Sequence, residues 1–162
     1  MSVKSRALVQ NEFPLPQVVG AAANYLLFSR HGNLLFLSGQ LPRVGTDIKF
    51  TGKVGLDVSL DEARQAARIC ASRLLSIVSI ATGSLEEMDK AIELTVYVNS
   101  ADTFGQQSQV ADAASDFLEE VLGERGRHAR TAVGVAQLPN NASVEIKGIF
   151  AVREQRPGLR IT

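Results

Sequence analysis

The order of apolar periodicities in this 162-residue chain predicts an α+β fold, β-β-α-β-α-β-β, with both helices on one face of a single mixed sheet. Three observations carry that expectation. Short segments near both ends and one in the middle read as strands. Two longer segments repeat apolar residues at helical spacing. Each helical stretch sits between strands, and right-handed crossovers then place both helices on the same side of the sheet.

The first pair of strands is a hairpin. "YLLFSRHGNLLFLSG" holds two apolar stretches around a turn at His31-Gly32-Asn33. The second strand ends abruptly in Ser38-Gly39-Gln40, and Pro42 forbids further ladder pairing. "GTDIKFTGKVG" reads as a polar loop punctuated by glycine. A long helix follows: Ser59 is its N-cap, Glu62 the capping-box partner three residues on, and Gly83 its end. Leu60, Ala63, Ala67, Cys70, Leu74, Ile77 and Val78 form its inner stripe. "AIELTVYVN" alternates, with Ile92, Leu94, Val96 and Val98 on one face. The second helix carries Phe104, Val110, Ala114, Phe117, Leu118 and Val121 inward and stops at Gly123. Two further alternating strands, "ARTAVGVAQL" and "ASVEIKGIFAV", are joined by a turn at Pro139-Asn140-Asn141.

Length and composition fit one domain over 1–162, with an N-terminal extension at 1–20 and a tail at 153–162. The 17 basic residues equal the 17 acidic ones, so nothing favours nucleic acid or an anionic membrane. No apolar run approaches the roughly 20 residues of a membrane span, and the first residues lack the apolar core of a signal peptide. The expected location is the cytoplasm. Cys70, alone in the sequence, falls in a helical apolar stripe and reads as a buried, inert thiol. His31 and His128 make no spacing that a metal would use, so no metal site is expected.

Period-2 geometry raises a question about the sheet face away from the helices. With Val133, Val135, Val144, Ile146, Phe150 and Val152 turned inward, Arg130, Ala132, Gly134 and Ala136 face out, together with Glu145, Lys147 and Ile149. A face that mixes small, apolar and charged residues suggests contact with another subunit. Arg130 and Glu145 would lie within it, needing each other or a ligand.

Three stretches, "GNLLFLSGQLP", "RTAVGVAQLP" and "VEIKGIF", resemble the Rid family of reactive-intermediate deaminases, also called YjgF-like or L-PSP endoribonuclease-like proteins. The likeness runs in the family's own order over about Asn24 to Val152. It implies a chorismate-mutase-like fold and a homotrimer whose sheets form a central barrel, with ligand sites in the clefts between subunits. It further implies hydrolysis of 2-imino acids to 2-keto acids and ammonia, without a cofactor.

Carried over residue by residue, Arg130 matches the arginine that grips the substrate carboxylate. Glu145 matches the acidic residue that holds or activates water, and Tyr25 the first-strand tyrosine at the cleft. Ser38 and Gly39 match the pair lining the pocket. Ala132 stands where the family often has cysteine, leaving its carbonyl to serve. Asp112 stands where the family often has asparagine, and there it would repel a carboxylate. The first-strand motif, here "AANYLLF", keeps only its tyrosine.

Arg130 could instead be an intersubunit partner of Glu145, and Glu145 only the counter-charge of that arginine. The competing functional reading is a non-enzymatic trimer that binds a small carboxylate. A ribonuclease or translation inhibitor is disfavoured by the missing basic patch and the missing histidine pair.

Overall fold

A computed structural model describes residues 15–18, 20 and 24–154; most of the extension and tail lies outside them. The elements are β1 (Phe28–His31), β2 (Leu34–Gln40), β3 (Arg43–Val44), β4 (Asp47–Ile48), α1 (Leu60–Thr82), β5 (Met88–Asn99), α2 (Gln107–Leu122), β6 (Ala129–Val135) and β7 (Val144–Val152). Five strands form a mixed sheet in the order β1-β2-β7-β5-β6, in which only β5 and β6 run parallel. The two helices cover one face, as expected. The polar, glycine-punctuated loop is entered through a small hairpin, β3–β4, whose second strand lies within it. The last two strands are not neighbours: β5 lies between β6 and β7, and β6 is an edge.

Local chemistry sets the limits of α1. Ser59 Oγ accepts from the Glu62 backbone N–H, and Glu62 Oε2 accepts from the Ser59 N–H at 2.8 Å. Gly83 then turns the chain with φ of 82°, a value that a side chain would oppose. The predicted stripe is buried except for Leu60, and Ala66, Ala71, Leu75 and Arg73 join it. A stripe this wide fits a helix packed on the sheet and on α2 at once. In the second helical segment, Phe104 precedes the first turn and packs against the core from the loop.

Cys70 is fully buried, with Sγ 3.8 Å from the Val144 carbonyl, and burial pushes its thiol pKa well up. A buried neutral thiol does not alkylate. Iodoacetamide should therefore modify Cys70 only once denaturant unfolds the chain, and Cys70→Ala should leave any ligand binding unchanged, as read by mass spectrometry and calorimetry.

Two expectations about strand faces need correction. Strict alternation in β5 breaks at a bulge between Ala91 and Glu93, so Ala91 points inward and Ile92 is partly exposed. In β6 the assignment is reversed. Arg130, Ala132 and Gly134 pair with buried Leu94, Val96 and Val98 and so share the helix-covered face, whereas Val133 pairs with Tyr97 on the open one. The parallel register with β5 sets these faces, and the bare Gly134 leaves room for the Gln107 side chain, whose Nε2 would stand 2.9 Å from a Cβ there. Glu145, Lys147 and Ile149 do face the open side, in rows with Tyr97, Thr95 and Glu93.

Candidate active site

The odd end of β2 is a bulge. Leu37 pairs with Gly148 and Gln40 with Ile146, so Ser38 and Gly39 together oppose Lys147. Local polar contacts hold this shape. Ser38 donates its hydroxyl to the Leu26 carbonyl at 2.6 Å and its N–H to the Leu27 carbonyl at 2.9 Å. Gln40, though polar, is buried, with Nε2 donating to the Ser38 and Gly39 carbonyls and Oε1 accepting from Arg73 Nε at 3.2 Å. Ser38 thus ties the strand end to the segment carrying Tyr25.

Gly39 is there because Glu145 is. A Cβ at position 39 would collide with Glu145 Oε1, so only a glycine lets the carboxylate lie against the β2 backbone. Glu145 is half-buried, and among the described residues no cationic nitrogen lies within 4 Å of it. Burial alone pushes its pKa above the usual glutamate value. Gly39 and the exposed Tyr25 line a cavity of about 460 Å³ on the inner side of this wall, with Arg43 and Arg73.

Arg130 belongs to a second group. Its Nη1 donates to Asp112 Oδ1 at 2.9 Å and to Ser115 Oγ at 3.1 Å, both on α2. Asp112 therefore pairs with Arg130 within the chain, and Glu145 does not. His128 Nδ1 lies 2.6 Å from the Gly126 carbonyl and must carry the proton there, which makes Nε2 the acceptor for the Ser115 hydroxyl at 3.1 Å. Burial, more than the neighbouring Arg130 charge, holds the His128 pKa below its usual value, so the ring is neutral at pH 7. Ser115, His128 and Arg130 border another cavity of about 460 Å³. The Ala132 methyl packs against the core.

The chain thus gathers Tyr25, Ser38, Gly39 and Glu145 at one end of β2, and Arg130 with Asp112 at the far edge strand. Arg130 and Glu145 lie on opposite faces, with β5 between their strands. Sequence reasoning passed over Ser115, the hydrogen-bonding of His128, and Arg73. Arg73 had left a signal: it falls three residues after Cys70 and four before Ile77, on the inner stripe of α1, where a charge is out of place.

An α+β sheet with two helices on one face and a glycine-backed carboxylate at the bulged strand end defines the class of protein. The matching family model is described as "YjgF/chorismate mutase-like, putative endoribonuclease" and spans residues 4–152. The chain belongs to this YjgF-like family. It is 42% identical over 136 residues to Protein TCP17 of Trypanosoma cruzi, covering 83% of this chain and 85% of that one. It is 28% identical over 138 residues to a 2-iminobutanoate/2-iminopropanoate deaminase of Dermatophagoides farinae, covering 85% and 90%. Among solved structures, the protein Atu1372 of unknown function from Agrobacterium tumefaciens is 44% identical, with a TM-score of 0.83 over 93% of this chain and 92% of that one.

Proposed function

We propose that the protein hydrolyses the C=N bond of small 2-imino acids, releasing ammonia and a 2-keto acid. The observation that carries this reading is Glu145, a carboxylate raised in pKa by burial, without a cationic partner among the described residues, and given room by Gly39. A carboxylate with a raised pKa is a stronger base toward water than an ordinary one. Water adds to the imine carbon while Glu145 takes its proton. Glu145 returns that proton to nitrogen to give a carbinolamine, then takes the hydroxyl proton and passes it to the amino group as the C–N bond breaks, so that ammonia leaves and the carbonyl forms. Tyr25 orients the ligand at the mouth, and Arg130 holds its carboxylate through the fork of a guanidinium. No cofactor enters the scheme. The likeness to the mite deaminase supports the same reaction class.

Because Arg130 and Glu145 face opposite ways in one chain, a ligand touching both requires two copies. The proposed assembly is a homotrimer with its open sheet faces turned inward and edge strand β6 set against a neighbour. Phe36 and Val133, exposed by 44% and 38% on that face, support it. Sedimentation should give three times 17.4 kDa; a monomer at micromolar concentration removes the shared site. The activity test generates 2-iminopropanoate in situ and follows ammonia release with and without the protein. No acceleration overturns the deaminase reading.

A second reading, carboxylate binding without turnover, is favoured by the Arg130–Asp112 pair, which already meets part of the arginine's charge. Asp112→Asn removes the competing carboxylate while keeping a hydrogen-bond acceptor. The expected result is several-fold tighter binding of pyruvate by calorimetry, with the gain shrinking at high salt. Unchanged binding would mean that the ligand does not use Arg130.

A further inference from the structure

The cavity inside the β2 bulge contains a charge with no visible counter-charge. Arg73 is only 7% exposed, yet among the described residues no carboxylate oxygen lies within 4 Å of its guanidinium. Its recorded acceptors are neutral: Gln40 Oε1 at 3.2 Å from Nε, and the Arg43 carbonyl at a long 3.4 Å from Nη1. A second guanidinium, that of Arg43, lines the same cavity, and among the described residues no Asp or Glu does. The two cations are near enough that Arg43 adds to the burial which lowers the pKa of Arg73. A buried cation without an anion is costly, and a second cation beside it increases the cost. The hydrogen bonds of Arg73 to Gln40 and to the Arg43 carbonyl help hold the bulge but neutralise none of its charge.

We propose that this cavity is an anion site: it takes a small doubly charged oxyanion, a dicarboxylate or a phosphate ester, which Arg73 and Arg43 hold from two sides. About 460 Å³ is ample for four to six carbon atoms. Arg73 supplies the fixed contact, because the Gln40 amide and the packing of α1 immobilise its stem. Arg43, on a two-residue strand, faces the cavity from the other side; its Nη1 donates to the Thr46 carbonyl at 2.6 Å. Gln17, Gln40, Thr46 and Tyr25 are the other polar side chains that line it. This site is separate from the Arg130 carboxylate contact and stands whether or not the chain is a deaminase.

The test is calorimetry on the full chain in a buffer free of other multivalent anions, with succinate, inorganic phosphate and acetate as titrants. One equivalent of succinate or phosphate per chain should bind and raise the melting temperature, while acetate binds at least tenfold more weakly. The tighter of the two dianions identifies the ligand class. Arg43→Gln, on a partly exposed side chain, should weaken that binding at least tenfold, and Arg73→Lys by at least as much. If Arg73→Lys fails to fold, Arg43→Gln carries the test alone. Arg130→Lys should leave it unchanged. The proposal is overturned if neither dianion binds at millimolar concentration, if Arg43→Gln has no effect, or if Arg130→Lys abolishes binding.

Discussion

Arg130→Lys should lower turnover of 2-iminopropanoate by roughly thirty- to thousandfold, on the order of 2–4 kcal/mol, while the fold and the assembly persist. The geometry makes the expectation specific. Among the described residues the hydrogen bonds of Arg130, to Asp112 and Ser115, both use Nη1, which leaves Nε and Nη2 to meet a carboxylate side-on. Lysine can reproduce the pairing with Asp112 but not the two-pronged edge. Loss of turnover with an unchanged sedimentation coefficient and melting temperature assigns Arg130 to the ligand. Intact turnover with a dissociated oligomer assigns it to the interface instead, and the chemistry proposed for it falls.

Glu145→Gln should reduce turnover by about 10²- to 10⁴-fold, the usual contribution of a positioned base. Its effect on stability should have the opposite sign. The folded state binds the Glu145 proton more tightly than the unfolded chain does, because burial raises the pKa above its ordinary 4.5. The raised group therefore favours the folded state at low pH, and that contribution is lost as pH rises through the folded-state value. At neutral pH the wild-type chain bears the burden of a half-buried charge that glutamine lacks. The variant should melt no lower than wild type at pH 7, with any advantage vanishing below the ordinary glutamate range. Wild-type turnover should rise with pH through the raised value. A lower melting temperature for Glu145→Gln at pH 7 would make the carboxylate a structural partner and withdraw its role as base.

Sequence alone determined what depends on neighbours along the chain. The limits of α1 were legible because a capping box at Ser59 and Glu62 and a left-handed glycine at 83 are local devices. The β1–β2 hairpin was legible because Gly32, with φ of 58°, marks its turn. The polar end of β2 announced itself as an anomaly, and Cys70 and the two-helix, mixed-sheet plan could be read from periodicity. What only the tertiary structure decided are the matters set by partners distant in sequence. The face of Arg130 depends on the parallel register of β6 with β5, which leaves no periodic trace. The inward turn of Ala91 rather than Ile92 depends on a bulge against β7. The carboxylate that meets Arg130 proved to be Asp112, one helix away, and the arginines that share a cavity with Tyr25 and Gly39 proved to be Arg43 and Arg73. Periodicity reports which side of an element is apolar; it carries no information on which charged side chains from other elements reach the same place, because that is set by packing between segments that are far apart in the chain.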